Sequence, residues 1–211
     1  MSHVHNREEK LDKAPIEFWF DFSSPYSYLA SERIDELAAK HGRKVKWRPM
    51  MLGAAFKASG MPLLVTIPLK GDYSKRDFDR SARYLGIPYT FPPKFPIATL
   101  AAARGYYWLH GKDCAKAREF AHAVFRAYWV DSRDISELPV VLDIVGQLGI
   151  DRDAFAAAIA TPEIKDRLKQ ETDAAIARGM FGAPYFMVDG EPFWGVDRLP
   201  QIDKWLATGG F

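Results

Sequence analysis

Few side chains in this sequence are spaced for covalent or metal chemistry. The single cysteine, Cys114, cannot close an internal disulfide, form a two-cysteine redox centre or build a cysteine-rich zinc site. By itself it reads as a small buried apolar residue. His110 and His122 fall in separate predicted helices without ligand spacing to cysteine or carboxylates, and His3 and His5 lie in a polar N-terminal stretch, so no metal site is expected. Ser24 stands out by its position, because Ser23-Ser24-Pro25-Tyr26-Ser27 ends a strand pattern and opens a helical one. Such a serine is a nucleophile, a hydrogen-bond donor to a reacting group, or only a helix cap with Pro25 in the first turn. The nucleophile reading lacks its partners: there is no Gly-x-Ser-x-Gly turn and no histidine in the neighbouring motifs to act as base.

The elements that would position Ser24 are legible from periodicity. Ile16, Phe18, Phe20 and Phe22 alternate with Glu17, Trp19 and Asp21, which predicts a strand over Ile16 to Phe22. Leu29, Ala30, Ile34, Leu37 and Ala38 then recur at helical spacing, with Gly42 where a left-handed cap belongs. Val45 and Trp47 alternate with lysine and arginine, completing a βαβ unit. From 53 to 179 the pattern is helical: an irregular or partly helical lead-in from Met51 to Gly71, then helices over Ser74 to Tyr84, Ile97 to His110, Cys114 to Tyr128 and Leu138 to Leu148. Thr161-Pro162-Glu163 starts one more, since a capping hydroxyl precedes Pro in the first turn. Strand pattern returns at Tyr185 to Val188, turns at Asp189-Gly190 and continues through Trp194; Leu199, Ile202 and Leu206 line a last helix with Asp197 at its start.

Composition narrows the function classes. With 48% hydrophobic and 27% charged residues in 211, the chain can bury a core and has the length of one domain carrying an insertion. A formal charge of +2 is too small for electrostatic capture of nucleic acid or an anionic membrane. No apolar run has the length of a membrane span, and residues 1–14 read as a flexible tail without the apolar core of a secretory signal, so the expected location is cytoplasmic.

The order β-α-β, helical insertion, β-β-α, with Pro184 just before the third strand, resembles the thioredoxin fold. The expected division is a thioredoxin-like domain from 15–52 and 180–211, interrupted by a helical subdomain at 53–179. Where that fold carries Cys-Pro-x-Cys, this sequence has Ser24-Pro25-Tyr26-Ser27, and a hydroxyl cannot exchange with disulfides. The helix N-terminus still stabilises an anion, including a thiolate brought in by another molecule.

Phe20-Asp21-Phe22-Ser23-Ser24-Pro25-Tyr26-Ser27-Tyr28-Leu29-Ala30, Phe181-Gly182-Ala183-Pro184 and Trp194-Gly195-Val196-Asp197-Arg198-Leu199 together resemble the 2-hydroxychromene-2-carboxylate isomerase family and its kappa-class glutathione transferase relatives. The resemblance implies glutathione as cofactor, a small aromatic substrate, and a homodimer. It makes Ser24 the catalytic serine beside the glutathione sulfur. Ala183, before a cis Pro184, would pair with the cysteinyl part; Val196 and Asp197 would take the γ-glutamyl end. Val196 replaces a small polar residue usual in the family, which implies weaker glutathione binding, and Ser23 replaces an aliphatic one. By position, Lys70 would meet a carboxylate of glutathione or substrate, and Tyr84, Phe91, Pro92 and Phe95 would wall an aromatic ring. Taken alone, Asp197 is an ordinary N-cap, Lys70 a solvated charge and the aromatics core or dimer contacts. The implied activity is glutathione-dependent cis-trans isomerisation of a chromene carboxylate. The alternatives are a kappa-type transferase or peroxidase, or a glutathione-binding relative without catalysis.

Overall fold

The computed structural model describes residues 14–211; apart from Ala14, the expected tail, with His3 and His5, lies outside them. β1 (Ile16–Phe20) runs in parallel beside β2 (Val45–Pro49), Ile16 opposite Val45 and Phe20 opposite Pro49. Its other edge pairs antiparallel with β3 (Tyr185–Val188), which turns back onto β4 (Glu191–Trp194), giving the order β2-β1-β3-β4. The hairpin turn requires positive φ twice in succession, 53° at Asp189 and 90° at Gly190, which is why Asp-Gly occupies it. β1 is paired along both edges, and side chains on both of its faces are buried. Phe18, Phe20 and then Phe22 enter the larger core with Trp47 and Phe125, while Trp19 packs with Met50, Met180 and Tyr185 on the opposite side.

Among the described residues ten α-helices surround this sheet. α1 (Pro25–Ser31) and α2 (Ile34–Lys40) join β1 to β2, where periodicity predicts one continuous helix. Two local bonds and one distant one mark the break: the Ser31 hydroxyl donates to Tyr28 C=O at 2.7 Å, Arg33 N–H closes on Ala30 C=O at 3.0 Å, and the Arg33 guanidinium reaches Leu85 C=O at 2.5 Å. Between β2 and β3 come α3 (Leu52–Ser59), α4 (Lys70–Leu85), α5 (Leu100–His110), α6 (Cys114–Trp129), α7 (Leu138–Gln147), α8 (Arg152–Ala160) and α9 (Pro162–Ala177). A 3-10 turn at Leu64–Thr66 lies between α3 and α4. Another at Val196–Arg198 leads into α10 (Leu199–Thr208). The helix α8 was not anticipated, although Asp151 caps it by accepting Ala154 N–H at 2.9 Å and Phe155 and Ile159 face inward four residues apart.

Cys114 corrects a sequence expectation. It is exposed, with its thiol facing His110 C=O at 3.7 Å, because residues 111–115 form a protruding corner and the buried stripe of α6 begins only at Ala117.

α5 is the helix on which the others lean, and Gly105 is the contact that lets α8 approach it. A Cβ at this position would overlap the ring of Phe155, which is fully buried and also packs on Phe120. Gly105→Ala is therefore expected to destabilise the fold by about 1–3 kcal/mol, read as a lowered urea midpoint with unchanged slope. No helix among the described residues is long and apolar enough to cross a membrane.

Candidate active site

The carboxyl ends of β1 and β2, the start of β3 and the end of β4 meet at one edge of the sheet. There a cleft of about 1250 Å³ opens, lined by Ser24, Ala183, Pro184, Val196, Asp197 and Lys70 together with an apolar wall. Residues from both ends of the chain and from α4 thus share one space.

Ser24 is the N-cap of α1, with extended backbone at φ −95° and ψ 117°, and it is 4% exposed. Its Oγ accepts Ser27 N–H at 3.2 Å, and its hydroxyl donates to Ala183 C=O at 3.1 Å. Ser24 is therefore the helix cap that Ser24-Pro25 allowed, and its hydroxyl is in addition directed across the fold to Ala183. The preceding turn is shaped by Asp21: Ser24 N–H donates to Asp21 C=O at 3.0 Å and Ser23 N–H to Asp21 Oδ1 at 2.8 Å. Ser23, whose effect the sequence left open, accepts Ile97 N–H at 3.1 Å and so fastens the segment before α5 to the Ser24 turn.

The Ala183-Pro184 bond is cis. Gly182 lies against Trp194, where a Cβ would overlap the indole, and that indole packs on Phe181 with ring centroids 4.8 Å apart. Pro184 C=O accepts Gly195 N–H at 3.0 Å, joining the Phe181-Gly182-Ala183-Pro184 and Trp194-Gly195-Val196-Asp197 motifs across the hairpin. Val196 is buried, while the Asp197 side chain is 70% exposed and lies 3.5 Å from the Arg198 guanidinium. Asp197 sits in the 3-10 turn rather than capping α10, which begins at Leu199.

Lys70 is the first residue of α4, one turn earlier than the periodicity indicates. Leu69 ahead of it has φ 67°, an unusual conformation for a branched side chain, and Lys70 N–H closes a tight turn on Pro68 C=O at 2.8 Å. Of the four residues expected to wall an aromatic ring, Phe95 lines the cleft and the other three do not. α4 buries Ser74, Phe78 and Ala82, which turns Tyr84 outward to 87% exposure. Phe91 packs on Phe95 from outside at 5.3 Å, and Pro92 is buried beneath the loop. The wall is instead built by Met51, Leu52, Phe56, Leu63, Leu64 and Phe78.

Two polar groups of the cleft were not anticipated. Tyr26, in the first turn of α1, donates a very short hydrogen bond to Asp77, which also holds Arg80; burial and then that bond hold the phenol far above its usual range, so it stays protonated. Asp21 is buried, its carboxyl pushed up by loss of solvent against the pull of its three hydrogen-bond donors. The sequence did not mark it, since Asp21 falls on the same alternate positions as Glu17. No group of three or more His, Cys, Asp or Glu among the described residues could hold a metal.

Chemically the cleft offers a hydroxyl at a helix start, a backbone carbonyl at Ala183 just before β3, an exposed carboxylate in a turn, and a cation on an apolar wall. These features suit a peptide-like ligand bearing both an ammonium and carboxylates. Residues 15–207 match the DSBA-like thioredoxin domain family. The chain is 33% identical over 193 residues to the 2-hydroxychromene-2-carboxylate isomerase of Pseudomonas putida, spanning 90% of this chain and 92% of that protein. It is 26% identical over 209 residues to human glutathione S-transferase kappa 1, spanning 91% and 92%. A solved structure of a 2-hydroxychromene-2-carboxylate isomerase superposes with a TM-score of 0.84 at 30% identity, covering 92% of this chain and 95% of the other.

Proposed function

The chain belongs to the DSBA-like thioredoxin domain family and to the 2-hydroxychromene-2-carboxylate isomerase family, and from that premise we propose that it is a glutathione-dependent isomerase acting on a chromene carboxylate. The observation that carries this reading is the hydroxyl of Ser24, buried at a helix start and directed to Ala183 C=O where redox members of the fold carry cysteine. Bound glutathione supplies a thiol whose sulfur adds reversibly to a conjugated double bond, leaving a single bond about which the substrate turns before the sulfur departs.

The remaining work belongs to the protein. Ser24 has one proton to give and now gives it to Ala183 C=O. With glutathione bound, Ala183 C=O would accept its cysteinyl N–H and the Ser24 hydroxyl would donate to the sulfur, favouring its ionised form. Asp197 holds the γ-glutamyl ammonium and the Val196 turn its carboxylate. Val196 lacks a polar side chain, so this end binds through backbone groups and affinity is moderate. Lys70 meets a carboxylate, and the wall of Leu52, Phe56, Leu63 and Phe78 takes the aromatic ring. Positioning and a stabilised thiolate, rather than a protein nucleophile, supply the acceleration.

The test pairs two measurements on the purified protein in the cytoplasmic range of glutathione. Reduced glutathione is expected to raise the melting temperature, corresponding to about 2.7 kcal/mol at a hundredfold excess over its Kd, and turnover of 2-hydroxychromene-2-carboxylate should require it. Undiminished turnover without glutathione refutes the scheme. The similarity to kappa transferases supports one second reading, conjugation of glutathione to an electrophile; halide release from an aryl halide in the absence of trans-product formation would select it.

A further inference from the structure

The ionisable groups lining the cleft differ in where their protons can go. Tyr26 donates to Asp77, and Asp77 is further occupied by Arg80. Lys70 and Arg198 are cations with no acceptor to offer. Asp197 stands mostly in solvent. Asp21 is the exception. Its Oδ1 accepts Ser23 N–H at 2.8 Å and the Thr99 hydroxyl at 3.0 Å, and its Oδ2 accepts Leu52 N–H at 2.9 Å. Thr99 is the N-cap residue of α5, yet its hydroxyl makes no bond to its own helix and is spent on this carboxyl. What acts on the charge of Asp21 is burial and these three donors, and no Lys, Arg or His among the described residues bonds to it. From α6, Tyr128 is the titratable group that feels it. Oδ2 accepts one hydrogen bond among the described residues, which leaves it a lone-pair position on a residue that lines the cleft three positions before Ser24.

A thiol ionising beside Ser24 must lose its proton. Ser24 Oγ already accepts Ser27 N–H, and a serine hydroxyl is far too weak a base to take another. A thiolate and an ionised, cation-free carboxylate in one buried space would also repel each other. We propose that Asp21 Oδ2 receives the proton of the glutathione thiol, directly or across one water, as the thiolate forms; this rests on the glutathione reading above. The S–H bond breaks, its electron pair stays on sulfur, and an O–H bond forms on Asp21, so the pair carries one negative charge before and after. Asp21 and the thiol then titrate as a coupled pair.

The experiment follows glutathione binding at neutral pH by its ultraviolet thiolate band, with calorimetry in two buffers of different ionisation enthalpy counting protons released. In the wild-type protein the band should appear with almost no proton passed to the buffer. In Asp21→Asn, glutathione should still bind, but the thiolate titration should move upward by about one unit or more. Thr99→Val keeps the carboxyl and removes one donor that favours its charged form, so Asp21 becomes the stronger base and the thiolate titration should move downward; this variant serves if Asp21→Asn does not fold. A wild-type thiolate formed with a full proton released per site overturns the proposal and leaves the glutathione reading intact. So does an Asp21→Asn titration that is unmoved or moves downward, the sign expected if Asp21 merely repels the thiolate. Failure of the wild-type protein to bind glutathione overturns both.

Discussion

Ser24→Ala is expected to lower glutathione-dependent turnover by about two orders of magnitude, the usual cost of removing one preorganised donor to a developing anion. The same change removes the cap of α1, because Ser24 Oγ is the acceptor of Ser27 N–H, and should cost about 1 kcal/mol of stability. The two effects are separable. Turnover measured well below the melting temperature reports the lost donor, and the urea midpoint reports the lost cap. Ser24→Thr keeps both a hydroxyl and a cap, and should recover part of each despite an added methyl in a site that is 4% exposed. Ser24→Ala with wild-type turnover and a lowered midpoint would reduce Ser24 to a cap.

Gly195→Ala should have the second large effect, on binding rather than chemistry. Gly195 has φ 106° and ψ 150°, a region that is essentially closed to residues with a side chain, and a Cβ there would overlap Asp197 Oδ1. Alanine therefore both strains the backbone, by about 1–3 kcal/mol, and displaces the carboxylate proposed to hold the γ-glutamyl ammonium. Glutathione affinity, measured by calorimetry, should fall by about tenfold or more, the equivalent of 1.4 kcal/mol. Asp197→Asn leaves the turn intact and removes only the charge. If Asp197→Asn binds normally while Gly195→Ala does not, the turn's backbone rather than the carboxylate is the ligand.

Much of the architecture was legible because β1, α9 and the hairpin announce themselves through alternation, a Thr-Pro start and Asp-Gly. The sheet needed only the order of those elements. What escaped depends on contacts distant in sequence. Nothing near Arg33 shows that its guanidinium will reach Leu85 C=O and separate α1 from α2. Lys70 faces the cleft because Leu69 adopts a positive φ that no local signal marks. Tyr84 was assignable: Ser74, Phe78 and Ala82 define the inner face of α4, and Tyr84 is out of phase with them. Asp21 was hidden by the alternation that revealed β1, since its place in the pattern pointed to the Trp19 face, which distant residues such as Met180 cover.

The hydrogen bond from Ser24 to Ala183 spans 159 residues. A protein being synthesised from its N-terminus therefore carries Ser24, and much of the apolar wall, long before the partner that orients the hydroxyl has left the ribosome. β1 likewise waits for β3, its antiparallel neighbour. Such remote pairings slow folding, because chain entropy is lost before the contacts that compensate it are made. The assembled cleft is thus a property of the finished polypeptide: a nascent or prematurely ended chain that stops before β3 has Ser24 but lacks Ala183, Pro184 and the Val196 turn that complete the site.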